Sequence, residues 1–363
     1  MNGPAMECGA QALGDAAYRR TLIVPWRIPR MASPAIVPVF LPFRGCPVRC
    51  VFCAQYVQTG RGESALGIAR ALADARAMLA QRAARGLPPA ELAFYGGTFT
   101  ALAPEDLACC LQLVAEARRM GWITAFRCST RPDCVDATGL AALREAGLAT
   151  VELGVQSFAD HALVASRRGY DRATALQACE LVRACGLRLG IQLLPGMPGH
   201  TPADLEADMA QALEVGADML RLYPCLVLEG TGLAVLWRDG KYRPWSLDKT
   251  LAALAKAWLM ARDAGVPVIR MGLAPEESLS RALLDGPQDP ALGSRVMGRG
   301  LLFAVRRALQ QQEQQSYGFD LELPRAAQGY VWGTRRELYA AWTALGLARI
   351  FWGSEPVVRL FMR

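Results

Sequence analysis

From residue 36 onward the chain alternates short apolar runs with amphipathic stretches of helical period, and this alternation restricts the fold more than any other feature. The apolar runs are typical of β-strands. They are AIVPVFLP, ELAFYGG, WITAFRCS, ATVELGVQS, LRLGIQLL, DMLRLYP and VPVIRMG. Six or seven consecutive βα units imply parallel strands joined by right-handed crossovers. The sequence therefore predicts an α/β fold, either a full or partial barrel or an open doubly wound sheet.

Local signals mark the ends of several predicted helices. The first helix is expected over residues 64–85. Pro104 stands where the first turn of a helix tolerates proline, and Thr201 is a candidate N-cap. Gly147 should close the helix of CVDATGLAALREAG, because glycine readily adopts the left-handed conformation that ends helices.

The pattern changes after residue 275. A helix is expected near 291–315, followed by a Gln-rich linker, QQQEQQSYG. A short strand–helix–strand follows in FDLELP, TRRELYAAWTAL and LARIFW. We therefore divide the chain into an N-terminal extension (1–35), a core (36–275) and a C-terminal cap (276–363).

Charge and hydropathy narrow the class of protein. Of the 40 basic residues three are lysines and the other 37 are arginines, and the net charge is +7. A GC-rich genome would produce this bias, and an anionic partner such as nucleic acid would also suit it; charge alone favours the first explanation. No apolar run reaches the roughly 18 residues of a spanning helix, and the first twenty residues lack a signal-peptide core. We expect a cytoplasmic protein without a membrane partner.

The polar and glycine-rich stretches follow successive strands. Three cysteines, Cys46, Cys50 and Cys53, come after the first strand. YGGTF, STRPD, VQSF and LLPGMPG come after the second, third, fourth and fifth. Ligands bind at the carboxyl ends of parallel strands in barrels and in doubly wound sheets. The sequence therefore predicts one site at that edge.

Thiolates bind soft metals, so the cysteine loop predicts a metal site. The eleven cysteines of this long chain fit free thiols in a reducing compartment better than a disulfide scaffold. Structural zinc takes four ligands, often as two C-x-x-C pairs, and no fourth cysteine or histidine lies near this loop. On a four-iron cluster, three cysteines would leave one iron open to a small chelating molecule. A structural or redox-sensing site is the non-catalytic alternative.

The C-x3-C-x2-C loop GCPVRCVFC resembles that of the radical S-adenosylmethionine (SAM) superfamily. FYGGTF, ELGVQS and LLPGMPG resemble the superfamily's later strand motifs, and RLYPCLVLEGTGLAVLWRDGKYRPWS resembles the radical SAM domain of the Elongator catalytic subunit. The resemblance covers roughly residues 36–275. It implies a partial (β/α)6-type barrel with a small C-terminal α+β appendage, a 4Fe–4S cluster, SAM, and an electron donor of flavodoxin or ferredoxin type.

The same resemblance implies roles for individual residues. Cys46, Cys50 and Cys53 would ligate the cluster. Gly96 and Gly97, with Thr98 beside them, would let the backbone approach the SAM amino group, so Gly97→Val is expected to block SAM while leaving iron in place. Comparison with the oxygen-independent coproporphyrinogen oxidase type and with Elongator suggests the other SAM contacts, although Ser129 and Gln192 depart from the residues found there. Phe52 would lie either against adenine or in the core. The candidates for polar contacts with SAM are Ser129, Arg131, Gln156, Arg168 and Gln192. Arg131 could instead lie on the surface.

Other features bear on the substrate. The segment after residue 275 is too short for the acetyltransferase domain of Elongator plus its linker. We therefore expect a radical SAM enzyme that acts on a tRNA base or on a small molecule such as a tetrapyrrole. Aromatic and basic residues of the cap could bind tRNA across the cap and the barrel mouth, or they could be core and solvated residues. They are Tyr330, Trp332, Arg335, Arg336, Arg349 and Trp352. Cys225, near the presumed pocket, is more often an inert than a reactive thiol.

Overall fold

The computed structural model describes residues 18, 20–30, 34–55, 67–273, 276–312 and 318–363. The strands are β1 (Arg20–Pro25), β2 (Ile36–Phe40), β3 (Ala90–Tyr95), β4 (Ile123–Thr130), β5 (Leu148–Gln156), β6 (Arg188–Leu193), β7 (Met219–Leu222), β8 (Val227–Leu228), β9 (Val268–Met271), β10 (Leu283–Asp285), β11 (Phe319–Pro324), β12 (Leu347–Gly353) and β13 (Val357–Met362). The α-helices are α1 (Ile68–Ala84), α2 (Pro104–Arg119), α3 (Ala137–Glu145), α4 (Asp160–Ala165), α5 (Arg172–Ala184), α6 (Pro202–Glu214), α7 (Gly232–Arg238), α8 (Leu247–Asp263), α9 (Glu277–Ala282), α10 (Leu292–Gln310) and α11 (Tyr339–Ala344). None of the described helices is long and apolar enough to cross a membrane.

The larger of two compact units comprises residues 30–250 and 266–290. Its main sheet has seven strands in the order β2-β3-β4-β5-β6-β7-β9, and every neighbouring pair is parallel. The sheet curls into a half-barrel, which confirms the predicted α/β partial barrel and includes the seventh strand. The central strands are almost completely buried because parallel sheets are covered on both faces.

The helix ends that the sequence marked lie where they were predicted. Pro104 occupies the first turn of α2. The Thr201 side chain accepts from the backbone N–H of Asp204, whose carboxylate accepts in return from Thr201 N, so the two form a capping box. Gly147 follows α3 with a φ of +108°.

The smaller unit comprises described residues from 1–29, 251–265 and 291–363. Its sheet has the order β1-β13-β11-β12. The predicted strands FDLELP and LARIFW are β11 and β12, which pair in parallel. The flanking strands β13 and β1 are antiparallel to their neighbours, and sequence reasoning assigned neither. The N-terminal segment therefore belongs to the same sheet as the C-terminal strands.

The helix expected over TRRELYAAWTAL begins only at Tyr339. A 3-10 turn precedes it, in which Arg335 and Arg336 have φ values of +53° and +59°. Two successive left-handed residues interrupt an α-helix. The basic residues expected at a helix start therefore lie in a separate turn, and the helix dipole gives them no help in binding phosphate.

Candidate active site

A cavity of about 560 Å³ lies in the larger unit at the carboxyl ends of the parallel strands. Sequence reasoning named twelve site residues, and the cavity wall includes all of them except Thr98. The eleven are Cys46, Cys50, Phe52, Cys53, Gly96, Gly97, Ser129, Arg131, Gln156, Arg168 and Gln192. The structure therefore brings the loops of five different strands together at one place, as the strand-end argument predicts.

Gly45 and Gly97 allow the cysteine loop and the glycine motif after β3 to pack backbone against backbone. A Cβ at Gly45 would lie 2.3 Å from Thr98 O, and a Cβ at Gly97 would lie 2.3 Å from Arg44 O. Both glycines have positive φ, +71° and +64°. Thr98 N donates to Arg44 O at 2.7 Å, and Thr98 Oγ1 lies 3.3 Å from Cys46 Sγ. The two motifs therefore form one interlocked support for the cysteines, with Thr98 beneath the cavity wall.

This packing gives Gly97 a role that sequence reasoning did not anticipate. A side chain at Gly97 would collide with the cysteine loop, so Gly97→Val should disturb the cluster site itself rather than SAM alone. Gly96 differs, because a Cβ there would meet no atom closer than 3.5 Å. That the two glycines also face the SAM amino group stays a prediction.

Gln55, two residues after the last cysteine, fastens the loop and was missed from the sequence. Its Oε1 accepts from Gly97 N at 2.9 Å and also from Phe43 N. Gln55 is visible in the sequence as the last residue of CAQ, directly after the cysteine motif. A single glutamine in a loop, however, does not predict a particular contact.

Two arginines point at the sulfur of Cys50. Arg168 Nη1 donates to Cys50 Sγ at 2.9 Å, and Arg131 Nη1 lies 3.6 Å from the same sulfur. Asp133 accepts from Arg131 Nε at 2.8 Å and from Nη2 at 2.7 Å, which fixes its orientation. Arg131 and Arg168 are both 4% exposed, so Arg131 is not a surface residue. Both buried arginines therefore place positive charge beside Cys50, a candidate ligand of the cluster.

Tyr170, which sequence reasoning also missed, orients Arg168. Its hydroxyl accepts from Arg168 Nη2 at 2.8 Å and donates toward Val155 O at 2.8 Å. Arg168 Nη2 also donates to Gly154 O at 2.5 Å. Burial alone would lower the pKa of Arg168, but Tyr170 and Cys50 raise that pKa by a larger amount. The pKa of Arg168 therefore lies above its ordinary value, and the side chain stays cationic.

The three cysteines fit an iron–sulfur cluster. Burial, and the neighbouring Cys50 and Cys46, raise the pKa of Cys53 to about 12, because three thiolates cannot share this space without a compensating positive charge. Iron would supply that charge and hold the thiols deprotonated. In the described part of the chain, no three His, Cys, Asp or Glu side chains surround a position for a single metal ion.

Three neutral polar side chains, Ser129, Gln156 and Gln192, also line the cavity, and their contact with SAM stays a prediction. Gln192 Nε2 donates to Gln156 Oε1 at 3.3 Å, and Gln156 has a φ of +69° at the end of β5. Ser129 lies on β4 opposite Glu152 of β5 in the strand register. Phe52 borders the cavity and also packs against the apolar cluster around Val51, so its packing in the core is observed and its contact with adenine stays a prediction.

Among the described residues, the other cysteines and the histidines show no comparable grouping. All ten cysteines of the described residues are free, and Cys8 lies outside those residues. Burial raises the pKa of Cys225 to about 12, so this cavity-lining thiol is neutral near pH 7, as expected of an inert cysteine. His161 is exposed, whereas His200 is buried and bonds Asp208 at 2.9 Å.

A second cavity, of about 520 Å³, lies around the RDGKYRPWS segment. Three aromatic side chains line it, but their polar tips are already bonded. Trp237 Nε1 donates to Asp285 at 2.8 Å, Tyr242 Oη to Gly196 O at 2.7 Å, and Trp245 Nε1 to His200 O at 3.2 Å. It contains no thiol, so the cysteine-lined cavity is the better candidate for the chemistry.

Comparison with protein families identifies this arrangement. The sequence pattern of the radical SAM superfamily matches residues 40–212, and that of the radical SAM C-terminal domain matches residues 217–299. The chain belongs to the radical SAM superfamily. It is a radical SAM enzyme, and the cofactors of this family are a 4Fe–4S cluster and SAM.

Individual relatives define the branch that this radical SAM enzyme is similar to. It is 28% identical over 192 residues to a tRNA uridine(34) acetyltransferase of Methanocaldococcus jannaschii, covering 50% of this chain and 34% of the relative. It is 30% identical over 160 residues to Elongator complex protein 3 of Mus musculus, covering 40% and 29%. The chain thus spans about a third of the length of these curated relatives.

A solved structure supports the fold. Archaeal Elp3 of Methanocaldococcus infernus, with its N-terminus deleted, superposes with a TM-score of 0.58 at 22% identity, covering 77% of this chain and 64% of that one. This likeness shows that the two proteins share the α/β fold.

Proposed function

We propose that this radical SAM enzyme acts on a tRNA base. The observation that carries the proposal is the shared radical SAM region of relatives that are a tRNA uridine(34) acetyltransferase and Elongator complex protein 3. Because the chain spans only about a third of those relatives, acetyl transfer is not part of the proposal. A cytoplasmic location and an electron donor of flavodoxin or ferredoxin type belong to it.

The residues of the cavity have distinct tasks in this reaction. The cluster and SAM, when bound, would supply the radical chemistry that removes a hydrogen atom from the substrate. Cys46, Cys50 and Cys53 hold the cluster on the interlocked loop. Arg168, kept cationic and oriented by Tyr170, suits the SAM carboxylate as well as the Cys50 sulfur.

In the smaller unit, fewer of the candidate residues are available to bind RNA than the sequence suggested. Tyr330 is buried and accepts from Trp26 Nε1, so its ring is not available to a base. Arg349 Nη2 is bonded to buried Asp320 at 2.8 Å. Arg335 and Arg336 are exposed, and neither side chain has a polar partner among the described residues. These two arginines therefore carry the proposal for phosphate binding.

The other two aromatic candidates remain partly available. Trp332 is half-buried and lies with its ring centroid 5.7 Å from that of Tyr339. Trp352 on β12 is half-buried too. Partial exposure leaves part of each ring free to stack on an unpaired base, which is the usual mode of RNA recognition by aromatic residues.

The cofactor chemistry is tested in anaerobically reconstituted protein. With dithionite and SAM, the products should be 5′-deoxyadenosine and methionine. Alanine at Cys46, Cys50 or Cys53 should abolish iron binding, whereas alanine at exposed Cys109 should not. S-adenosylhomocysteine as the sole product would instead indicate methyl transfer.

The tRNA proposal is tested by binding at several salt concentrations. Affinity should fall steeply between about 50 and 200 mM salt, because bound phosphates release counterions. Arg335→Glu with Arg336→Glu should weaken binding while SAM cleavage is unchanged. Arg306→Glu with Arg325→Glu is the charge-matched control, since both are exposed arginines of the same unit. Absence of salt-dependent tRNA binding by the wild-type protein would leave a small molecule such as a tetrapyrrole as the substrate.

A further inference from the structure

A line of alternating charges runs through the interior of the half-barrel. Arg188 Nη2 lies 3.3 Å from Glu91 Oε1, and Glu91 is also paired with Arg127. Arg127 Nη1 lies 3.2 Å from Glu152 Oε1, and Arg221 Nη2 donates to the same oxygen at 3.2 Å. Three cations therefore alternate with two carboxylates. The series ends on Arg221, which borders the cavity.

Arg221 remains a cation in this position. Burial lowers its pKa, but Glu152 and the hydroxyls of Tyr223 and Tyr95 raise it more, so the net pKa lies above its ordinary value. Glu152 also pairs with Arg221 through Oε2, which lies 2.5 Å from Arg221 Nε. Two carboxylates cannot neutralise three arginines, so the series as a whole carries a net positive charge.

Neighbouring groups extend this positive end into the cavity. Arg221 on β7 stands in register with Arg270 on β9, and both border the cavity. Among the described residues no carboxylate pairs with Arg270, whose Nε makes one long hydrogen bond, of 3.5 Å, to Gly272 O. Tyr223 Oη accepts from Arg221 Nη1 at 2.9 Å and keeps its own hydrogen to donate. Two guanidinium groups and a phenol hydroxyl thus face the same space.

The charge of the whole wall favours an anion. Among the described residues the cavity is lined by five arginines and two glutamates. Arg131 and Arg168 are directed at Cys50, and Arg49 stacks on Phe43 at 3.8 Å, so these three face the cysteine side. On the other side, Arg270 of β9 has no carboxylate partner among the described residues, and Arg221 of β7 stands beside it in the strand register. Guanidinium groups recognise phosphate and carboxylate through paired hydrogen bonds.

We propose that Arg221, Arg270 and Tyr223 form an oxyanion subsite that holds a phosphate or carboxylate group of the substrate across the cavity from the cysteines. Bound there, the anion orients the substrate so that its reacting carbon faces the cofactor side. The inference rests on the proposed function to the extent that this cavity is where the radical reacts. The anion is a phosphate if the substrate is a nucleotide of RNA, and a carboxylate if it is a small acid.

Calorimetric titration of the reconstituted, SAM-loaded protein tests the subsite. The probes are uridine 5′-monophosphate, uridine, and succinate. Arg270→Gln is the main variant because this exposed arginine has no carboxylate to leave unpaired. Arg119→Gln, an exposed arginine at the end of α2, is the charge-matched control. Arg221→Lys keeps the charge that Glu152 needs while losing the paired donors, and SAM affinity is measured for every variant.

We expect at least one anionic probe to bind about tenfold more tightly to wild-type and Arg119→Gln proteins than to Arg270→Gln and Arg221→Lys. A preference for the monophosphate over uridine identifies a phosphate group, and binding of succinate alone identifies a carboxylate. In the second case the subsite stands while the tRNA proposal fails. If neither anion depends on Arg270, or if Arg270→Gln weakens SAM binding equally, the proposal is overturned.

Discussion

The two adjacent glycines after β3 can each be replaced by alanine. Comparing the two variants distinguishes a collision with the cysteine loop from backbone strain alone. Gly96 and Gly97 have φ values of +73° and +64°, so an L-residue at either position costs about 1–2 kcal/mol. They differ in the space that a Cβ would meet. At Gly96 the nearest atom lies at 3.5 Å, an ordinary contact, whereas at Gly97 the oxygens of Arg44 and Leu41 lie at 2.3 and 2.6 Å.

The collision at Gly97 requires the cysteine loop to move. Moving Arg44 O away lengthens its 2.7 Å hydrogen bond from Thr98 N, which contributes about 1 kcal/mol. Overpacking adds about 1–3 kcal/mol. Gly97→Ala should therefore lower the free energy of unfolding by about 3–6 kcal/mol, against about 1–2 kcal/mol for Gly96→Ala. At about 2–4 °C per kcal/mol, the melting temperatures of the two variants should differ by roughly 4–16 °C.

Iron content and melting temperature, both measured anaerobically after reconstitution, provide the assay. Gly97→Ala should lose most of its iron because displacement of Arg44 carries Cys46 with it, whereas Gly96→Ala should keep the wild-type iron content. Equal losses of iron in the two variants, or a Gly97→Ala protein with wild-type iron and stability, would show that the contact between the two loops does not position the cysteines.

Two further predictions concern buried charges. Arg131→Gln removes a guanidinium 3.6 Å from Cys50 Sγ, so the midpoint potential of the cluster should become more negative by on the order of 50 mV. An electron-paramagnetic-resonance titration measures this potential. An unchanged potential would contradict the influence of Arg131 on the cluster. Asp320 is buried, which raises its pKa, but Arg349, Arg363 and Tyr18 lower it more. Its stabilisation should therefore be complete above the unfolded pKa of about 3.9 and lost as pH falls through the lower folded value. Asp320→Asn should cost about 3 kcal/mol at pH 7 and reduce this acid dependence, as urea unfolding at pH 3 and pH 7 would show.

The fold of the larger unit could be predicted because its signals are local and repeat. Each strand run is apolar, and each helix carries its own end signal, such as the capping box at Thr201. The right-handed crossover rule then fixes the order of the strands. The smaller unit gave no such repetition. Its sheet pairs Arg20–Pro25 with Val357–Met362, more than 300 residues away, and no local pattern records a pairing over that distance.

The site was predictable in its members and not in their contacts. The cysteines and glycines could be found because their spacing is restricted by chemistry and by backbone conformation. That Gly97 faces the cysteine loop depends on how two loops meet, which is a tertiary property. Tyr170 was missed for the same reason, since its hydroxyl serves Arg168 and β5 only once the chain has folded.

The arginine-rich composition has a structural use that codon bias alone does not explain. Arg127 is completely buried and pairs with Glu91 and Glu152, on two different strands. The donors of lysine all lie on one nitrogen, whereas the guanidinium of Arg127 reaches the two carboxylates with separate nitrogens, Nη2 and Nη1. Arg131 likewise spans Asp133 and the sulfur of Cys50 with separate nitrogens of its planar group. At these interior positions the contacts require arginine, independently of codon bias. Codon bias is a sufficient explanation only for exposed arginines without partners, such as Arg119.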